Sequence, residues 1–377
     1  MDMEVTARDR QVLLAAGMAV FVLMGAVQAV YGPALPVIAR ETGRGLASVS
    51  VLFTAHWIGA AVGVAAMFAL GARMTPRVVV IVLAAGSALL GAGMGWGVML
   101  AGAVLAGMGQ GCAAVLFNPR LLAAYGPRGP AMLTLINAVF GAGAILAPLA
   151  FVALAGTFRP LFLVLAAGFV VTLVLARDIG RPLADTAHGR LRADWIILGF
   201  GAFGVGFEAT LIGLGPAALV RSGMSEVGAA EMLSLFFVAF LAARILLVFV
   251  AHLVAPFTLF TLSVAGLALS LGGAMVISPG WMFVASGAFA ATIFPGYFVA
   301  AVQRMGHDPR VSPLIVAGGL VGGIGMPFAL AHMVESMGPR GLFLLLAMLS
   351  AMVVLAALAF GLRGRPVAGG RGPEPAP

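Results

Sequence analysis

The sequence predicts an all-α membrane protein of twelve transmembrane helices arranged as two pseudo-symmetric six-helix bundles. Three observations lead there. The 377 residues are 62% hydrophobic and only 9% charged, whereas a soluble domain carries about 25% charged residues. That leaves too little polar surface to face water, so the solvent is lipid and soluble two-domain enzymes are excluded. The apolar residues fall into twelve runs, each near the ~20 residues a helix needs to cross the hydrocarbon core. Landmarks of the first six runs also return in the last six.

In order, the spans are expected near 11–33, 47–70, 78–97, 99–124, 130–153, 158–176, 194–220, 229–253, 257–277, 281–303, 311–334 and 340–362. The first follows Arg8 and Arg10 as a signal peptide would. It is long for a signal h-region and eleven similar runs follow, so it reads as a retained helix. The third and fourth are parted only by Gly95, Trp96 and Gly97. After the sixth comes the longest polar stretch, Arg177 to Asp194, the one candidate linker between halves. The expected organisation is therefore an N-terminal bundle over 1–176, a cytoplasmic linker over 177–194, a C-terminal bundle over 195–363 and a disordered Pro/Gly-rich tail over 364–377.

Charge placement fixes the expected orientation. All 21 basic residues are Arg, and the net charge is +8. They cluster in the short gaps between spans, which is topological information and not a nucleic-acid-binding face. With an even number of spans both termini lie on one side. Placing them inside puts fifteen Arg in cytoplasmic segments and five (Arg40, Arg44, Arg159, Arg221, Arg340) outside, with Arg244 inside a span. This is the positive-inside pattern of a bacterial-type inner membrane protein. The single Cys112 lies in an apolar run and offers neither a disulfide framework nor a metal site.

The duplication shows as three near-equal offsets. Gly32, Pro33 and Ala34 return as Gly215, Pro216 and Ala217, 183 residues later; Pro76 returns as Pro256, 180 later; Gly143 and Pro148 return as Gly322 and Pro327, 179 later. Parallel repeats around a central cavity are one way secondary transporters are built.

Several segments carry a family resemblance. Gly107, Gly109 and Gly111 in span four resemble the glycine ladder of the major facilitator superfamily, where small residues let helices approach closely. The 2–3 loop with Gly71, Arg73, Pro76 and Arg77 is similar to that superfamily's loop motif, without its usual Asp. Asn118-Pro119, Asn137 with Gly141, Gly143 and Pro148, Gly206 and Glu208, Arg244, and Ile293 to Pro295 resemble the fucose permease-like group. The resemblance implies two bundles around a cavity, alternating access and import of sugars with protons. The acids that carry coupling in spans one and four of that group have no counterpart here.

Of the thirteen acids, Glu208 alone lies near the middle of a span. A mid-bilayer charge costs about 2.5–3.5 kcal/mol or more unless paired or hydrated, which marks it as functional by default. Arg244 is the only mid-span base. Counted from Arg221 and Glu231, both lie 13 residues from the outer end, so a pair at matching depth is expected. Burial and a nearby guanidinium act in opposite senses on a carboxyl's proton affinity, so Glu208 would exchange a proton as the cavity opens; the alternative is a permanent ion pair locking two helices. Asn118 and Asn137 flank the short 4–5 loop and are placed to hydrogen-bond across it, either as helix glue or as partners for sugar hydroxyls. Gln28, Tyr31, Gln110 and Tyr297 lie on helices that line the cavity in the superfamily. His56 titrates near neutral pH when free and is inert when satisfied in a core; Trp57 beside it is either a stacking platform or a packed aromatic. His332 carries the same two readings.

The function expected is secondary active transport of a small polar solute, a sugar by resemblance, by a monomer using protons as coupling ion and no cofactor. The alternatives are export of a drug-like or anionic metabolite, with Arg244 holding a carboxylate, a non-transporting sensor, and copper transport through Met333/Met337 and Met348/Met352. No P-loop is present and Asp185 with His188 has no nucleophile nearby, so neither an ATP-driven pump nor an enzyme is expected.

Overall fold

The computed structural model describes residues 6–70, 74–179, 193–306 and 311–363. Within them lie twelve α-helices and no strand: α1 (Ala7–Thr42), α2 (Leu46–Leu70), α3 (Pro76–Gly91), α4 (Trp96–Tyr125), α5 (Gly129–Ala153), α6 (Phe158–Thr172), α7 (Trp195–Arg221), α8 (Glu226–Val250), α9 (Pro256–Val276), α10 (Pro279–Met305), α11 (Val311–Glu335) and α12 (Gly341–Arg363). Ten are long and apolar enough to cross a membrane, and α3 and α6 are shorter apolar helices. Large aliphatic side chains such as Val276 and Leu269 point outward all around the bundle. In water this would be an aggregating surface; in lipid it is the expected one. The chain is a multi-pass membrane protein.

The helix ends follow local chemistry. A capping box between Thr6 and Asp9 starts α1, and Gly43 in the left-handed region ends it. Pro33 and Pro36 lie inside α1, which therefore runs 36 residues, about 54 Å, beyond the end expected at 33. Proline is tolerated in a membrane helix where neighbouring helices re-satisfy the freed backbone groups. Conversely α3 stops at Gly91, short of the expected 97, because Gly93 and Gly95 take φ of 69° and 96°, values an α-helix cannot hold. The linker over 180–192, the 2–3 loop over 71–73, residues 307–310 and the tail from 364 lie outside the described residues, and with them Arg73, Arg181, Arg190, Arg192, Arg310, Arg365, Arg371, Asp185 and His188.

In the first six helices α1 packs on α5 and α6, α2 on α4, and α3 on α4 and α6; in the last six α7 packs on α11, α10 on α8 and α9, and α12 on α9. The duplication read from sequence reappears as two equivalent backbone crossings. Any side chain at Gly143 would overlap the carbonyl of Val22, and any at Gly322 that of Ala202. Val22 and Ala202 lie 180 residues apart, the same period as the landmarks. The two sets meet through α5 on α8, α2 on α11 and α1 on α7.

We call the end where α1 begins and α12 finishes the terminal face, and the opposite end the far face. The two sets seal together toward the far face. Gly32 packs its backbone against Ile212, Phe53 fills the space beside Gly213, and Ser234 Oγ donates to the Ile145 carbonyl at 3.0 Å. Arg40 of α1 pairs with Glu226 of α8 across the rim.

Candidate functional site

Two polar assemblies lie deep in this apolar body, one in each half. The first is built on the closest helix crossing in the N-terminal half. Gly107 and Gly111 of α4 lie against the carbonyls of His56 and Ala60 of α2 with no room for a side chain, which is what the glycine ladder was expected to provide. That approach brings His56 and Gln110 together. His56 Nε2 donates to Gln110 Oε1 at 3.2 Å, Gln110 Nε2 donates to Gln28 Oε1 at 2.9 Å, and Tyr31 Oη donates to His56 Nδ1 at 3.3 Å. Because Gln110 Oε1 can only accept, His56 carries a proton on Nε2. Tyr31 and His56 have no exposed surface. Four residues expected singly as cavity contacts thus form one closed network joining α1, α2 and α4.

The second assembly is ionisable and incomplete. Glu208 sits at the midpoint of α7, 13 residues from Trp195 and from Arg221, and is half-buried. Arg244 of α8 is half-buried too, and the two charges act on one another. They form no direct ion pair among the described residues, and the expected matching depth is corrected by the observed helix. Glu231 is not the outer end of α8, which begins at Glu226. Arg244 therefore lies 18 residues from that end, against 13 for Glu208, a depth difference of about 7–8 Å at 1.5 Å per residue. Arg244 Nε instead donates to the carbonyl of Ala291 in α10 at 3.3 Å, and its guanidinium lies 4.5 Å from the Phe240 ring one turn back.

A cavity of about 490 Å³ lies between α5 on one side and α8 and α10 on the other. Arg244 and Asn137 are the polar residues on its wall, and the remainder is apolar, including Leu241, Ile245, Phe294 and Pro295. It reaches toward the terminal face: Leu133 lies one turn from the start of α5 and Phe249 one residue from the end of α8. The expected bond between Asn118 and Asn137 is not formed. Asn137 Nδ2 turns back onto its own helix and donates to the Leu133 carbonyl at 2.8 Å, while Asn118 Oδ1 is buried with no partner among the described residues. Tyr297 is buried and donates to the Ile315 carbonyl of α11 at 3.0 Å, so it ties α10 to α11. Trp57 packs at the join between halves, near Gly323. His332 bonds along its own helix to the Phe328 carbonyl. Met333, Met348 and Met352 are exposed on the outer surface.

With twelve apolar helices, a duplicated crossing and a cavity between halves in place, the family can be assigned. The model of the Major Facilitator Superfamily matches residues 17–318. The chain belongs to that superfamily. No curated protein matches it. Among solved structures, the nucleoside transporter NupG superposes with a TM-score of 0.73 at 12% identity, covering 93% of this chain and 99% of that one. A D-xylose-proton symporter superposes with a TM-score of 0.72 at 14% identity, covering 92% of this chain and 96% of that one. At such identities the likeness is one of fold. The fucose permease-like subgroup is not established by these matches.

Sequence reasoning singled out Glu208 and Arg244, because a lone charge in an apolar run is conspicuous. It missed the Ala291 carbonyl that holds Arg244. The signal was available in Pro295, which lacks the N–H that would otherwise engage that carbonyl four residues earlier.

Proposed function

We propose that this major facilitator protein is a secondary active transporter that moves a small organic solute by alternating access, with Glu208 as the proton-coupling group. The observation that carries the reading is the one-sided closure. The halves are sealed around Gly32, Phe53 and Ser234 toward the far face, while the cavity beside Arg244 extends toward the terminal face. The arginine bias makes the terminal face cytoplasmic, so both termini lie inside a bacterial-type inner membrane and the conformation is inward-facing. One chain contains both halves of the pathway, and we take it to act as a monomer. Glu208 is the acid in reach of a cation at mid-membrane, and its proton occupancy changes as water or a counter-charge arrives.

A sugar as solute has the support of the resemblance to the fucose permease-like group and of the structural likeness to a D-xylose-proton symporter. The cavity wall offers few partners for a polyol, since Gln28 and Gln110 are bonded to each other, Tyr31 is bonded to His56 and Asn137 is partly spent on its own helix.

Alternating access is tested by two cysteine reporters in a Cys112→Ala background, Asn137→Cys in the cavity and Ala34→Cys in the far-face seal. A membrane-impermeant maleimide is expected to label them reciprocally, so that conditions raising one rate lower the other. Rates that vary independently would contradict the reading.

A further inference from the structure

We infer that Arg244 is the receptor for the carboxylate of an amphipathic organic acid, and that Pro295 positions it by freeing the Ala291 carbonyl. This rests on the α5/α8/α10 cavity being the solute site proposed above.

Within an α-helix the carbonyl of residue 291 accepts from the N–H of residue 295. Proline has no N–H, and Pro295 stands inside α10, so the Ala291 carbonyl is left without its helical donor in a medium where an unsatisfied backbone group costs several kcal/mol. Arg244 fills that vacancy with Nε. Phe240, one turn earlier on α8, lies against the guanidinium plane. One edge and one face of the group are thereby fixed, and both Nη groups have no protein partner among the described residues. The Glu208 charge reaches Arg244 without forming an ion pair, so it does not occupy that fork.

A guanidinium so held presents two parallel donors, the geometry that takes a carboxylate bidentately. Around it the wall is aliphatic and aromatic, with Asn137 as the other polar group. About 490 Å³ falls in the range of small-molecule pockets, roughly 300–1,000 Å³. One oxyanion carried on an apolar body matches both parts of this wall, whereas a polyol would meet two polar side chains and an otherwise apolar lining.

The test is thermal stabilisation of the purified full chain in zwitterionic nanodiscs, using phenylacetate and hexanoate against their neutral isosteres phenylacetamide and hexanamide. Both carboxylates are expected to raise Tm and both amides to leave it in place. Arg244→Gln should abolish the carboxylate response, and Arg244→Lys should weaken carboxylate affinity about tenfold, since an ammonium lacks the fork. Pro295→Ala restores a competing N–H and should lower the preference for acid over amide several-fold without changing the response to amide. Should Arg244→Gln fail to fold, Asn137→Asp sets a negative charge in the same wall and should weaken both carboxylates. Equal responses to acid and amide, silence toward both carboxylates, a carboxylate response that survives Arg244→Gln, or equal stabilisation by phosphatidylglycerol would each overturn the inference. Stabilisation by D-xylose alone would overturn it while leaving the transport reading intact, whereas loss of reciprocal labelling would strike the transport reading and leave these binding results standing.

Discussion

The two buried polar assemblies sit in halves that repeat one another, yet they are opposite in chemistry. In the N-terminal half Tyr31, His56, Gln110 and Gln28 pass hydrogen bonds from one to the next and carry no net charge. In the C-terminal half Glu208 and Arg244 are ionisable, separated in depth and only partly engaged by protein. A satisfied network rigidifies the helices it joins. A charge without a full set of partners retains the capacity to take a proton or a ligand. The difference teaches that duplication preserved the frame, as the paired crossings at Gly143 and Gly322 show, while the buried polar groups of the two halves diverged.

The largest expected effect tests the shared frame. Gly143→Leu and Gly322→Leu each drive a side chain into a backbone carbonyl and should destabilise by about 3 kcal/mol or more. Both should lower the yield of folded protein in detergent to a similar degree. If one half tolerates its substitution, the halves do not share the crossing that defines the repeat.

The next effect separates the assemblies. His56→Leu leaves Tyr31 Oη and Gln110 Oε1 buried without partners and should lower stability by about 1–2 kcal/mol, read as a fall in Tm, while the surviving protein keeps its pH-driven uptake. Glu208→Gln should show the reverse, with Tm nearly unchanged and coupling lost. A His56 variant that folds normally but loses coupling would place the proton path in the wrong half.

A smaller effect lies outside the membrane. Asp194 caps α7 by accepting from the backbone N–H groups of Ile196 and Ile197 and pairs with Arg304 at 2.7 Å. Burial alone would raise its carboxyl pKa, but the hydrogen bond and charge of Arg304 and the two backbone donors outweigh it and hold the group below the ordinary carboxylate range. The folded state then binds this proton less readily than the unfolded chain. The stabilisation is present above about pH 4 and is lost as pH falls through the folded value. Asp194→Ala should cost about 1 kcal/mol near neutral pH, and its Tm should converge on that of the parent in acid.

Much of the architecture was legible because hydropathy alone dictates it: an apolar run of about 20 residues has few structures open to it in lipid. Boundaries failed where a residue carries two meanings. The span expected to end near Pro33 continues through it to Thr42, and Glu231 read as a water-facing end but lies one turn inside α8. That second misreading placed Arg244 level with Glu208. The site was half legible for a related reason. Glu208 and Arg244 stand out in one dimension, whereas the chain from Tyr31 to Gln28 exists only because Gly107 and Gly111 bring α2 and α4 together. Asn118 and Asn137 show the same limit: equal distance from a loop sets depth, but the direction each side chain takes decides whether they meet.

The most direct test of Glu208 as coupling group is solute movement by Glu208→Gln in proteoliposomes, measured with an imposed pH gradient and again as counterflow without one. Accumulation against the gradient should disappear while counterflow persists, since Glu208 is not on the cavity wall and Arg244 keeps its contacts with Ala291 and Phe240. Accumulation at the parental level in Glu208→Gln would contradict the account.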